Sequence, residues 1–320
     1  MALWGALTLY AIAMVSYSLR LATVTEKKGA AKALARAGAK ATAKDASASV
    51  EVLETDVAPT DPQDARAERR SLKALGIARS ATLVGVVLNG IGVIARGVEA
   101  GHVPWSNMYG YAITGAFVSV LVLLILQRRM DVVFLGPLVT GFATLTLGIG
   151  LAVLYEAATG LQPALQSYWL VVHVSIAIFA TGIFSVGAAA STLQLLRDSR
   201  DTGSTALASW RWLATTPTAT RLESLSFRLH AVGFVMWTFT VMAGAMWAED
   251  AWGRYWGWDP KEIWSFVIWV VYAAYLHART TQGWAGRRSA WLAIAGFVTL
   301  IMNFTVVNLY FQGLHTYAGS

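Results

Sequence analysis

Five histidines and one tryptophan-dense segment hold most of the side chains here that can do chemistry. The histidines are His102, His173, His230, His277 and His315. Imidazole changes charge near neutral pH and is the commonest side-chain ligand for a transition metal. In hydrocarbon surroundings an ionisable side chain is costly, so finding one there is itself a functional expectation. His173 lies in QSYWLVVHV, about one turn inside an apolar run, with Trp169 four residues earlier on the same helical face. His315 lies in GLHTY, just past the last apolar run. His230, in RLHAVGF, and His277, in AAYLHAR, sit near the far ends of two other runs. His102, in GHVPWSNMYGY, is read as a solvated loop residue. There is no cysteine, which removes disulfides, thiolate metal sites and cysteine nucleophiles from consideration.

The segment WAEDAWGRYWGWDPKEIWSFVIW, from Trp247 to Trp269, carries six of the fourteen tryptophans. Aromatic belts at a membrane surface account for one or two per span end. They account less well for Trp256-Gly257-Trp258-Asp259, where the rings are set close together. Gly253 and Gly257 let the backbone turn tightly between them. A flat aromatic surface with charges among the rings suits a flat, amphipathic ligand, and haem is the first candidate. Histidine is the usual axial ligand of haem iron. His173 and His315, at one depth beside the loop, are read as holding one iron from two sides; interfacial histidines bonded to water or backbone are the plainer alternative. His230 and His277 form a candidate second, inner site, against the alternative of satisfied helix-end histidines. Asp259-Pro260-Lys261-Glu262 reads as a helix start, with Asp at N-cap, Pro at N1 and Glu at N3 in the manner of a capping box. Asp259 and Glu262 are therefore read as caps ahead of catalysts. Arg96, near the end of the second apolar run, either snorkels or pairs, and a haem propionate is the sharper partner.

The elements that must position these residues are membrane spans. The chain is 56% hydrophobic and 13% charged, where a soluble domain carries roughly a quarter charged residues. The fold class is all-α, a polytopic membrane protein. A span needs about 20 apolar residues, and that rule marks about eight: 2–22, 79–99, 109–127, 131–155, 169–195, 227–248, 263–279 and 290–311. Pro137 predicts a kink in the fourth. The first run lacks the basic start and small-residue cleavage site of a signal peptide and is read as a span. Basic residues concentrate in 23–78 and in alternate loops, at Arg128, Arg129, Arg197, Arg200, Arg211, Arg221, Arg279, Arg287 and Arg288. The opposite loops carry only Arg254 and Lys261, so the positive-inside rule puts both termini and the Trp loop on the outer side. The net charge of +7 thus reports topology and not nucleic-acid binding. The organisation is a first span at 1–22, a basic and largely mobile cytoplasmic loop at 23–78, whose Ala-rich part at 23–70 is either mobile or a weak surface helix, and a seven-helix domain at 79–320 with its outer loop at 247–264. Mid-span charges are nearly absent, which argues against a proton or ion transporter.

WAEDAWGRYWGWDPKEIW followed by YLHAR, with SNMY at 106–109, QSYWLVVH at 166–173 and NLYFQGLHTY at 308–317, resembles the WWD family of haem-handling membrane proteins of cytochrome c maturation. The WDPKE form with YLHxR resembles the CcsA (ResC) type of System II cytochrome c synthase, over roughly 80–320. The resemblance implies that His173 and His315 are external haem ligands and that His277 is a transmembrane ligand on the outward path. It matches Trp252, Trp256, Trp258 and Asp259 to the WWD core. His230 has no counterpart, and Gly110 stands where the family has a glutamate. The implied activity is that of a cytochrome c haem lyase in the bacterial inner membrane, with the haem site facing outward. Haem b is then the substrate, and no side chain is catalytic beyond those that position it. The implied partners are a CcsB/ResB-type subunit, an apocytochrome c with a CxxCH segment, and a thioredoxin-like thiol reductant. The alternative is a haem transporter or chaperone that forms no bond.

Overall fold

The computed structural model describes residues 1–42, 62–158, 160, 165–281 and 283–315, the side chains of 25–42 and 62–64 excepted. Among these residues there is no strand. Eight long helices follow one another: α1 Ala2–Thr42, α2 Pro62–Ala100, α3 Met108–Arg129, α4 Gly136–Ala152, α5 Tyr168–Asp201, α6 Ala219–Trp252, α7 Pro260–Thr281 and α8 Arg287–Met302. A π-helical turn, Asn303–Val307, and the short α9, Asn308–Tyr310, extend α8. Seven helical stretches are long and apolar enough to cross a membrane, and the protein is an all-α polytopic membrane protein. The eighth expected span, on α7, falls short of that apolarity although the helix has 22 residues. Its sequence, PKEIWSFVIWVVYAAYLHARTT, opens on a charged pair and spends several positions on Trp and Tyr.

Four helices, α1, α2, α5 and α6, run well past the lipid-spanning length of about 20 residues. The 23–78 segment, read as largely mobile, is helical as far as Thr42 and again from Pro62, and residues 43–61 lie outside those described. Alanine, lysine, arginine and glutamate dominate it, and these are strong helix formers. Pro137 does not kink a helix: it stands in the first turn of α4, after a 3₁₀ turn at Val133–Leu135. A missing N–H costs nothing there.

α5 is central, packing on α6, α3 and α8, while α1 pairs with α2 and α4. Small residues on α5 make this possible. Ala177, Ala180, Gly182, Gly187 and Ala190 are buried, and without long side chains between them the helix backbones approach closely. A Cβ at Gly182 would lie 2.7 Å from Val118 Cγ1. Beyond this seam the aromatic core of α5, α6 and α7 takes over, with Phe184 stacked on Tyr272 at 3.9 Å. Aromatic stacking on one side and small residues on the other let α6 pack along α5.

Candidate functional site

α6 ends where the Trp loop begins. Gly253 adopts the left-handed conformation (φ 68°) and its N–H bonds to Glu249 O at 2.7 Å, closing the helix. The chain re-enters helix at α7 through the expected capping box. Asp259 Oδ1 accepts from the Lys261 N–H at 3.1 Å, and Glu262 Oε2 accepts from the Asp259 N–H at 3.0 Å and the Gly257 N–H at 2.8 Å. Arg254 Nη1 stands 3.6 Å from Glu262 Oε1, pinning the middle of the loop to the same carboxylate. Trp258, immediately before the cap, has φ 60°, and it is the one non-glycine residue with positive φ among those described.

Asp259 has a second role that spacing alone did not reveal. His315 donates from Nδ1 to Asp259 Oδ1 at 2.8 Å, and the Leu314 N–H donates to Asp259 Oδ2 at 2.7 Å. One carboxylate therefore starts α7 and docks a segment 56 residues further on. Burial pushes the Asp259 carboxyl up, but the hydrogen bond and charge of His315, with the Leu314 and Lys261 N–H groups, outweigh it and hold the group below the usual carboxylate range. A Cβ at Gly313 would collide with Asp259 Oδ2, so the approach depends on glycine there.

His173, in the second turn of α5, donates from Nδ1 to the Thr240 carbonyl of α6 at 2.8 Å. A carbonyl only accepts, so His173 Nδ1 carries a proton, and the Asp259 bond likewise puts a proton on His315 Nδ1. In its neutral form a histidine held this way ligates metal through Nε2 while its other nitrogen is oriented by an acceptor. Trp247, fully buried, contacts both rings, stacked at 6.1 Å from His173 and edge-on at 5.3 Å from His315. Trp252 packs on His315 at 4.8 Å.

His173 and His315 line one cavity of about 1100 Å³, part of it open to solvent. Trp105, Trp237, Trp247 and Trp256 wall it, with Tyr111 stacked on Phe304 at 5.1 Å. Its polar lining includes Lys261, Glu262, Asn303 and Asn308. Among the described residues no three His, Asp or Glu side chains converge to cage a bare metal ion. An iron already held by four porphyrin nitrogens needs only axial ligands, which two histidines can supply.

The other expected site residues separate. Asp259 supports the cavity from behind His315, Trp252 supports it from the side, and Trp256 lines it. Trp258 touches Trp256 at 5.8 Å but is 69% exposed and outside the lining. Arg96 lies apart, donating from Nη2 to Glu156 O at 2.7 Å and standing 3.4 Å from Glu99, beside a different cavity with Tyr109 and Tyr155. His102 bonds the Val103 carbonyl at 2.8 Å and does not line the main cavity. His230 and His277 do not meet. His230 is fully buried, its Nδ1 2.8 Å from Ser226 O and its ring among Phe184, Tyr272 and Tyr275. His277 is exposed, on the α7 face that also carries Ile263, Phe266 and Val270. At Gly110 a Cβ would strike the Pro104 carbonyl, so the loop has closed over the place a glutamate side chain would leave from. Sequence reasoning did not single out Lys261, Asn303 and Asn308. The available signal was two asparagines next to a strongly apolar run.

The sequence profile of the cytochrome C assembly protein family matches residues 105–315. The chain is 35% identical over 268 residues to a cytochrome c biogenesis protein CcsA of Synechococcus sp. (strain CC9902), covering 76% of this chain and 86% of that one. It is 36% identical over 252 residues to CcsA of Parasynechococcus marenigrum (strain WH8102), covering 70% and 81%. Among solved structures, Cytochrome c Heme Lyase CcmF superposes with a TM-score of 0.54 at 16% identity, over 95% of this chain and 47% of that one. This chain spans about half the length of that structure, and the likeness is one of fold. The chain belongs to the cytochrome c assembly protein family, among its CcsA-type members.

Proposed function

We propose that this chain holds haem b at the Trp-walled cavity and presents it for attachment to apocytochrome c, as the haem-handling subunit of a cytochrome c synthase. Family membership gives the broader frame, a role in cytochrome c maturation. The observation that carries the finer reading is the matched orientation of two imidazoles. His173 and His315 line one apolar cavity, and each has its Nδ1 proton given to a fixed acceptor.

In this reading the two imidazoles take the iron's axial positions and the tryptophan rings hold the macrocycle. The thiols of a CxxCH segment add across the vinyl groups: each S–C bond forms as the thiol proton goes to the other vinyl carbon, with no net redox change. The side chains of this chain need do little beyond placement. Holding vinyl and thiol together converts a bimolecular step into an effectively local one. The reading sets the cavity on the outer face of a bacterial inner membrane, as the distribution of basic loops supports. A CcsB/ResB-type subunit completes the enzyme, and a thioredoxin-like reductant keeps the substrate thiols free. Arg96 serves structure in this reading, not a propionate.

Delivery of haem without bond formation is the second reading. One observation favours it: His277 faces away from the bundle, on an exposed strip of α7 suited to exchange with another subunit. Co-expression with a CcsB/ResB-type partner and an apocytochrome separates the two, by whether covalent haem survives denaturation. For the site itself, haem occupancy and absorption spectrum are measured in wild type, His173→Ala and His315→Ala. Loss of occupancy or of the bis-imidazole spectrum in the variants is expected. A wild type without haem, or unchanged spectra in both variants, overturns the assignment.

A further inference from the structure

We propose that Lys261 is the carboxylate-binding cation of this cavity, holding an acidic edge group of the bound ligand against the wall made by Asn303 and Asn308. The inference rests on the haem reading above, in which that group is a propionate.

Lys261 is the one Lys or Arg among the described residues that line the cavity. It lies in the first turn of α7, and its side chain crosses to the extension of α8. There Nζ donates to the Asn303 carbonyl at 2.8 Å and to Asn308 Oδ1 at 2.8 Å. Both acceptors are uncharged. An ammonium group carries three N–H bonds, and these two contacts use two of them. A cation beside an apolar cavity ordinarily has a charged partner, because the loss of water is otherwise uncompensated.

The neighbouring acids do not fill that role. Asp259 is occupied by His315 and by the N–H groups of Leu314 and Lys261. Glu262 accepts from the Gly257 and Asp259 N–H groups and faces Arg254 at 3.6 Å. Among the described residues no carboxylate comes within ion-pair distance of Nζ. Asp259 acts on the ammonium through its charge alone, without contact, and the third N–H of Nζ is left for a ligand in the cavity.

A second, independent observation points to the same spot. Asn303 is 4% exposed, lines the cavity, and its Oδ1 has no hydrogen-bond partner. Its Nδ2 has only a 3.5 Å contact with Ser265 Oγ. A half-turn of the amide presents its two N–H donors where the oxygen now points, which suits the same carboxylate. Asn303 also opens the π-helical turn Asn303–Val307, an irregularity that frequently marks a functional site. Because that turn continues into Asn308, both of the lysine's acceptors are presented by one local distortion.

The test compares haemin with its dimethyl ester, which keeps the iron and macrocycle and removes both negative charges. Purified full-length wild type, Lys261→Met and Lys261→Arg are titrated with each, followed in the Soret band. Wild type is expected to prefer the free acid by roughly tenfold or more, as for one charge-assisted hydrogen bond. Lys261→Met loses most of that preference and binds the ester as wild type does, and Lys261→Arg retains the preference. Equal affinities for acid and ester in wild type, or an undiminished preference in Lys261→Met, overturn the proposal. The wild-type comparison stands even where a variant folds poorly. The two readings also fail separately. If both ligands give a spectrum dependent on His173 and His315 but bind equally, only the Lys261 proposal falls. If the preference follows Lys261 while the spectrum ignores both histidines, the iron assignment falls and the carboxylate site stands.

Discussion

Asp259→Asn tests whether one carboxylate both starts α7 and aims His315. Asp259 Oδ1 receives the His315 and Lys261 N–H groups, and Oδ2 receives the Leu314 N–H. In asparagine one of those oxygens becomes an NH₂ group. The arrangement that keeps two of the three bonds turns the NH₂ toward Leu314, donor against donor. The bond to His315 remains but loses its charge. Losing a hydrogen bond to a charged acceptor costs about 1.5–3 kcal/mol, or roughly 10- to 150-fold in the population of the docked segment at about 1.4 kcal/mol per tenfold. The helix start is spared, because asparagine caps as well as aspartate. Haem affinity is expected to fall by up to that factor while the thermal unfolding midpoint moves little. The decisive measurement is a double-mutant cycle with His315→Ala. If His315 is the route, Asp259→Asn has little further effect once His315 is gone. An equal loss in both backgrounds refutes the coupling.

The same latch has a pH signature. The Asp259 carboxyl is held below its ordinary value of 3.8, so its contribution is fully present above that value and is lost as pH falls through the lower folded-state value. Protease resistance of the segment around His315 is expected to stay level from neutral pH down to about 4 and to drop below it, a drop that Asp259→Asn does not share. Gly244→Ala puts a Cβ 2.8 Å from His173 Cε1, whereas Gly187→Ala puts one 2.8 Å from His230 Cε1. The first is expected to lower haem occupancy, and the second to cost about 1–3 kcal/mol of stability with the haem spectrum intact; equal spectral effects would count against the separation of the two histidines. His277→Ala leaves haem at the His173–His315 cavity unchanged in the isolated chain, because the side chain is exposed on α7, and a shifted Soret band would contradict that.

Apolar length is what lipid selects for, so seven of the spans were legible within a few residues at most ends. α7 is the informative exception. Trp264, Trp269, Tyr272 and Tyr275 lower its apolarity, and it was the capping box at Asp259 and Glu262 that marked its start. Within the spans, periodicity says little about facing, because a helix apolar all round has no polar stripe. That is why His230 and His277, each near a helix end, looked alike in sequence although one points into the core and the other outward. The pair His173 and His315 was legible because both lie at span ends beside the aromatic loop. Lys261 was not, because between Asp259 and Glu262 it reads as one more solvated charge at a helix start. Only the fold brings Asn303 and Asn308 to its side chain. The Ala-rich stretch before Thr42 has helix propensity but few large apolar residues, so its composition allows either a mobile loop or a weak surface helix, and helix is what forms.

Trp258 occupies a backbone conformation in which glycine would be at ease and a bulky residue is strained, commonly by about 1–3 kcal/mol. Its ring brings little packing in return, being 69% exposed. Trp258→Gly is therefore a substitution that relaxes the fold, and it is open to the chain by ordinary mutation. Trp258 thus belongs to the exposed rim of the loop, where its strained backbone turns the chain into α7, and not to the lining of the cavity as it stands.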